Sequence, residues 1–164
     1  MRKLEIFFDY ECPFCKLGYE YLMELLPKHS DIEIIWKPCE AHPRPESNSP
    51  HSDLVLQALL FALDHGVKDE HEFHRRMYQA VASERQNVEI IDTVVNIVGD
   101  LVDADALKAS LKNGEYAERQ SKLNDYAYNE NGVWFIPAFR MGIKKLDAAG
   151  GVGVTKQQLV EFLK

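Results

Sequence analysis

A chain of 164 residues has the size of one domain, or of one domain carrying a large insertion. With 46% hydrophobic and 27% charged residues it has material for a core and an ordinary soluble surface, which excludes a disordered tail, a collagen-like chain and a disulfide-stapled mini-protein. The formal charge is −7 and no basic run exceeds Arg75-Arg76 or Lys144-Lys145, so nucleic acid and anionic membranes are not expected partners. The longest uncharged run, Leu54 to Leu63, falls far short of the ~20 apolar residues that span a bilayer.

Leu4 to Phe8 is a short apolar run of the kind found in a strand buried on both faces. No apolar leader of about 7–15 residues precedes it, which points to the cytoplasm, where cysteines are normally reduced. Cys12-Pro13-Phe14-Cys15 follows. Pro13 has the fixed φ and missing donor suited to a first helical position, and Leu17, Tyr21, Leu22, Leu25 and Leu26 recur at helical spacing until Pro27. Ile32 to Trp36 forms a second strand, completing a βαβ unit with parallel pairing and a right-handed crossover.

Residues 41 to 50 carry prolines at 43, 45 and 50 and compose a linker. Beyond it the pattern is helical. Ser52 is the expected N-cap of a helix running to His65, and Asp69 with Glu72 opens a second bearing Phe73, Met77, Ala80 and Val81. Asn87 opens a third with Ile90, Ile91, Val94, Val95 and Val98, and Asp103 a fourth that ends at Gly114. A fifth, with Tyr116, Leu123, Tyr126 and Ala127, closes at Asn131-Gly132. Strands return at Val133 to Met141 and Lys144 to Ala149, with Gly142 in the turn, and Thr155 with Gln158 caps a last helix. The expected fold class is α/β: a βαβ–ββα core from 1–48 and 133–164, with a large all-helical insertion at 49–132.

Two thiols spaced by two at a strand-to-helix junction carry the strongest chemical signal. The first lies among the unpaired N–H groups of the helix start, where the macrodipole favours negative charge, so its pKa falls and a thiolate nucleophile results. Cys12 is therefore the attacking thiol, and Cys15, about one turn on, resolves the mixed disulfide. A CxxC is also half of a zinc site, for which His71-x-x-His74 is the one comparable second half; those histidines sit on an amphipathic helix that reads as a solvated face. Inert cysteines are the third reading, and Cys39, the odd thiol, reads as a small buried hydrophobe. Tyr10, Phe14, Trp134 and Phe135 are candidates for an apolar rim around Cys12, with at least one of Trp134 and Phe135 expected in the core. The other histidines, His51 among them, read as surface or loop residues.

The strand–CPFC–helix opening, the long helical insertion and the late Ile136-Pro137 resemble the DsbA-like branch of the thioredoxin superfamily, and within it the group of FrnE and 2-hydroxychromene-2-carboxylate isomerase. The resemblance covers essentially the whole chain and implies a thioredoxin-like fold and disulfide oxidoreductase activity. It also implies a cis peptide before Pro137, which packs against the cysteines, and a free Ile136 backbone for pairing with an extended substrate. Phe14 stands where typical oxidising members carry histidine. Ile6 stands where several relatives carry a buried acid, six residues before the first cysteine; Asp9 and Glu11 are nearer but are expected at the strand end, facing water.

The leading function is exchange of disulfides with protein or peptide thiols. Cys12, Cys15 and Pro137 are catalytic in this reading, and Tyr10, Phe14, Trp134 and Ile136 bind substrate. No metal or organic cofactor is expected, with glutathione as an eventual redox partner. Two alternatives stand beside it. One is the glutathione-dependent isomerase chemistry of the same fold, whose serine is replaced here by Cys12. The other is a non-catalytic peptide- or zinc-binding module.

Overall fold

The computed structural model describes residues 1–48 and 50–164; Ser49, inside the expected linker and at the start of the expected insertion, lies outside the described residues. Four strands, β1 (Arg2–Phe8), β2 (Ile32–Pro38), β3 (Ala138–Met141) and β4 (Lys144–Asp147), form one mixed sheet in the order β2-β1-β3-β4. β2 runs parallel to β1, while β3 is antiparallel to both β1 and β4; Ile6 sits between Trp36 and Phe139 in the register. Among the described residues seven α-helices accompany the sheet: α1 (Pro13–Leu25), α2 (Asp53–His65), α3 (Glu70–Tyr78), α4 (Ile91–Val98), α5 (Ala104–Asn113), α6 (Ala117–Asp125) and α7 (Lys156–Phe162). The α/β class, with a helical segment between β2 and β3, is the one expected.

Local chemistry sets most boundaries. The Asp69 carboxylate accepts from Glu72 N at 3.0 Å to open α3, and Asp103 accepts from Ala106 N at 3.1 Å to open α5. Thr155 and Gln158 form a reciprocal capping box on α7. Gly114 ends α5 at φ 64°, a left-handed position that costs glycine nothing. α3 and α6 each run on into a wider π turn, at Gln79–Ser83 and Tyr126–Glu130.

Several expectations are corrected. The third predicted helix starts at Ile91, not Asn87, because Val88 is drawn into the core and Ile90 takes the cap position. The stretch expected as a strand from Val133 is irregular until Ala138, and the last strand stops at Asp147. Ser52 precedes α2 but does not cap it; its hydroxyl turns instead to Asp9.

β1 is buried on both faces, and its alternation divides the interior. Leu4, Ile6 and Phe8 join one continuous core with Leu22 of α1, Leu56 and Leu59 of α2, Met77 of α3, Leu107 of α5 and Leu159 of α7. Phe7 points the other way, into a smaller cluster with Cys39, Ala127, Val133 and Ala138. The helices between β2 and β3 thus share their apolar faces with the sheet. Such burial fixes the β1–α1 junction, on which the candidate site is built.

Candidate active site

β1 ends at Phe8, and the chain turns at once: Cys12 N donates to Asp9 O at 3.2 Å, and Pro13 then opens α1. Cys12 occupies the N-cap position, usually held by an oxygen-bearing side chain, and its sulfur accepts from Cys15 N at 3.3 Å. A hydrogen bond with the Cys15 side chain lowers the Cys12 pKa from its ordinary 9.0; burial opposes this, and the N–H groups of Cys15 and Phe14 add to the lowering. Burial, then the Cys12 side chain, pushes the Cys15 thiol well up. The two thiols are free, Cys12 half-buried and Cys15 buried. One is therefore poised to ionise and its neighbour to keep its proton.

The Ile136–Pro137 peptide, just before β3, is cis. Pro137 is buried against α1 at Gly18, where a Cβ would lie 3.1 Å from Pro137 Cγ, so a glycine is what lets the proline loop approach the helix. The Cys12 Sγ–H faces the Ile136 carbonyl at 3.7 Å. Sulfurs and proline loop come from segments separated by 124 residues.

On the flank of Cys12 that faces the Ile136 carbonyl, the chain just before the cis proline is apolar. Trp134 is 86% exposed and Phe135 51% exposed, so neither belongs to the core, contrary to expectation. The Phe135 ring lies over Gly150, and the half-buried Phe14 lies against Gly153, whose φ of +80° and 3.0 Å clearance exclude a side chain. Val152, between those glycines, is exposed as well. The other flank is a cleft of about 350 Å³ lined by Glu11, Cys12, Pro13, Phe14, His42 and Arg85 among others. Glu11 is half-buried there, 3.7 Å from His42; burial raises its pKa, and the charges of His42 and Arg85 act against that rise.

Tyr10 is not part of the rim. It is fully buried, with its hydroxyl 2.7 Å from His74 Nδ1 and its ring edge-on to Tyr78. His74 in turn is buried rather than solvated, and burial, then His71, lowers its pKa to about 3. His71 remains exposed, its ring nitrogen 2.6 Å from the Tyr19 hydroxyl. His51 is also buried, between Glu46 O and the Glu89 carboxylate. Among the described residues no group of three or more His, Cys, Asp or Glu is placed to hold a metal ion. Cys39 is fully buried, and burial pushes its thiol up to about 12.

The feature that sequence reasoning missed is Asp9. Expected to face water, it is fully buried, with Ala41 N at 2.8 Å and Ser52 Oγ at 2.7 Å on one oxygen and Glu11 N at 3.2 Å on the other. Burial and then the charge of Glu11 raise its pKa from 3.8 to about 7, against the pull of those three donors. Its place between two buried aromatics, Phe8 and Tyr10, is the one local hint of this.

Comparison with known proteins follows the same geometry. YwbO, an uncharacterized protein of Bacillus subtilis (strain 168), is 24% identical over 98% of this chain and 97% of its own length. A probable DsbA oxidoreductase from Streptomyces coelicolor superposes with a TM-score of 0.78 at 16% identity, covering 99% of this chain and 88% of that one. The thiol-disulfide exchange protein alpha-DsbA2 from Wolbachia pipientis gives 0.67 at 18% identity, over 99% and 80% of the two chains. The profile of the DSBA-like thioredoxin domain matches residues 3–161, nearly the whole sequence. The chain belongs to the DSBA-like thioredoxin domain family.

Proposed function

We infer that this protein is a thiol-disulfide oxidoreductase that exchanges disulfides with protein or peptide substrates through Cys12 and Cys15. The observation that carries the reading is the Cys12 sulfur at the N-cap of α1, 3.3 Å from Cys15 N and facing the carbonyl before the cis proline. In the oxidising direction a substrate thiolate attacks Cys12 of the Cys12–Cys15 disulfide, and Cys15 leaves as the thiol-bearing member. The second substrate thiol then attacks the mixed disulfide, and Cys12 departs as a thiolate that the helix start stabilises. In the reducing direction the Cys12 thiolate attacks and Cys15 resolves.

The surroundings support a polypeptide substrate. Trp134, Phe135 and Phe14 offer apolar surface on one flank, and Ile136, half-buried, offers the backbone that leads into β3. Pro137 has no N–H to compete with substrate and, like any proline, offers sulfur no metal-ligating rival. Reduction of insulin by wild type, Cys12→Ser and Cys15→Ser tests the reading. Turnover is expected in the wild type and lost in both variants; unchanged turnover in Cys12→Ser refutes it.

A further inference from the structure

The two edges of the sheet are built differently. β4 forms one: it is four residues long and mostly exposed, with Lys144, Lys145 and Asp147 on it. Short, charged edges of that kind resist pairing with another chain. β2 forms the other, seven residues long, paired to β1 in an unbroken register and with Ile34-Ile35-Trp36 at its centre. Its only proline, Pro38, is its last residue, and no charge interrupts the apolar centre. Alongside runs a groove of about 670 Å³, lined by the half-buried Ile34, Ile35 and Trp36 and by Leu26, Leu63 and Leu123 of the flanking helical segments.

Strand alternation decides which backbone groups that edge presents. Arg2 N donates to Asp31 O at 2.8 Å and Cys39 N to Phe8 O at 2.9 Å, so the odd-numbered residues along β2 turn their backbone groups toward β1. The even-numbered ones point outward. Of these, Ile32 N donates to His29 O, and Pro38 O accepts from Gln120 Nε2. Among the described residues, Ile34 and Trp36 are thus the pair whose N–H and C=O groups both face the open edge. Two copies of β2 laid antiparallel, with Ile35 on a twofold axis, put Ile34 opposite Trp36 of the second copy, and each such pair exchanges two N–H···O=C bonds.

The same register puts Glu33 opposite Lys37 of the second copy, at a non-hydrogen-bonded position, where facing side chains lie closest. Glu33 is exposed and, among the described residues, makes no hydrogen bond or ion pair of its own. Lys37 reaches Glu5 on its β1 side at 3.7 Å, and Glu33 of the second copy would flank it from the open side. An axis at Ile34 would face Glu33 with Ile35, and an axis at Trp36 would face Lys37 with Ile35; the register at Ile35 is the one that matches charge with charge. We propose that the β2 edge is a homodimer interface, at which two four-stranded sheets join into one of eight strands through the two Ile34–Trp36 pairs and two Glu33–Lys37 pairs. An unrelated extended peptide could use the backbone groups. Opposite charges placed symmetrically, two residues to either side of Ile35, are what a second copy supplies.

The test is the mass of the purified chain in solution, by analytical ultracentrifugation from micromolar to millimolar concentration, with reductant present so that no disulfide links two copies. The wild type is expected to pass from monomer to dimer across that range. Glu33→Lys should weaken the dimer on the order of tenfold, since it turns two attractive cross-strand pairs repulsive. Lys37→Glu should do the same, and an equimolar mixture of the two variants should regain the dimer, because each unlike pair re-forms between the two different copies. Should Lys37→Glu fail to fold for want of its contact with Glu5, Glu33→Lys compared with Glu33→Gln decides: charge reversal is expected to weaken the dimer more than neutralisation, and equal dissociation constants refute the register. A wild type that stays monomeric throughout, whether its edge is open or holds another polypeptide, overturns the proposal. So does a dimer indifferent to Glu33→Lys, or a mixture no more associated than its components.

Discussion

Burial of Asp9 makes a stability prediction that does not depend on the redox cycle. In the folded chain its pKa is raised from 3.8 to about 7. The folded state therefore holds a proton that the unfolded state releases, and stability is fully present below about pH 4 and falls as pH rises toward 7. A shift of about three units at ~1.4 kcal/mol per unit makes the loss about 4 kcal/mol. Asp9→Asn removes the titration. The amide NH2 would face one of the three donors that now surround the carboxylate, a constant penalty of about 1 kcal/mol. The variant should thus start slightly less stable than the wild type near pH 4 and overtake it before pH 7, with no further divergence above. Urea unfolding of both proteins under reducing conditions at each pH unit reads this directly, and the titrations of Glu11 and Glu40 cancel in the difference so far as they are common to both. A stability difference that stays constant from about pH 4 to 8 would refute the argument, because it would mean that Asp9 titrates like an exposed carboxylate.

The site and the core make separate predictions. Trp134→Ala, at a position 86% exposed, should leave stability within about 0.5 kcal/mol, while KM for insulin rises about fivefold through the loss of ~1 kcal/mol of apolar contact; a changed unfolding midpoint with unchanged KM would assign Trp134 to the fold instead. Leu59→Ala, in a side chain 1% exposed at the centre of α2, should cost about 2–5 kcal/mol with an unchanged denaturant slope; a loss under about 1 kcal/mol would show that the helices between β2 and β3 do not share the sheet's core. A brief iodoacetamide pulse on the reduced protein should label Cys12 first, with half-reactivity at a pH below 9.0, and spare Cys15 and Cys39; equal labelling of all three would contradict the ionisation order.

What could be read from the sequence was set by neighbours in the chain. Pro13 after Cys12, Asp69 and Asp103 at their caps, Gly114 at a helix end and the Thr155–Gln158 box each act within four residues, so spacing alone announces them. The Cys12–Cys15 geometry belongs to this class, since one helical turn brings the sulfur to its neighbour's N–H. The features that sequence reading misplaced depend on distant partners. Asp9 is enclosed by Ala41 and Ser52, 32 and 43 residues away, and no local pattern says that a strand-end carboxylate will be covered. Tyr10 turns inward to meet His74 across 64 residues, which removes it from the rim and removes His74 from solvent together. The run from Val133 to Phe135 has the composition of a strand. It stays irregular because Pro137 lies immediately before β3, and Trp134 and Phe135 are left on the surface.

The exchange chemistry is tested most directly by a trap. Cys15→Ser, reduced beforehand, freed of reductant and then mixed with a peptide disulfide, lacks the thiol that resolves the intermediate. Mass spectrometry of the digested product should then find half of the peptide disulfide bonded to Cys12, with Cys39 unmodified. An absence of adduct, or an adduct on Cys39 alone, would contradict the assignment of Cys12 as the nucleophile.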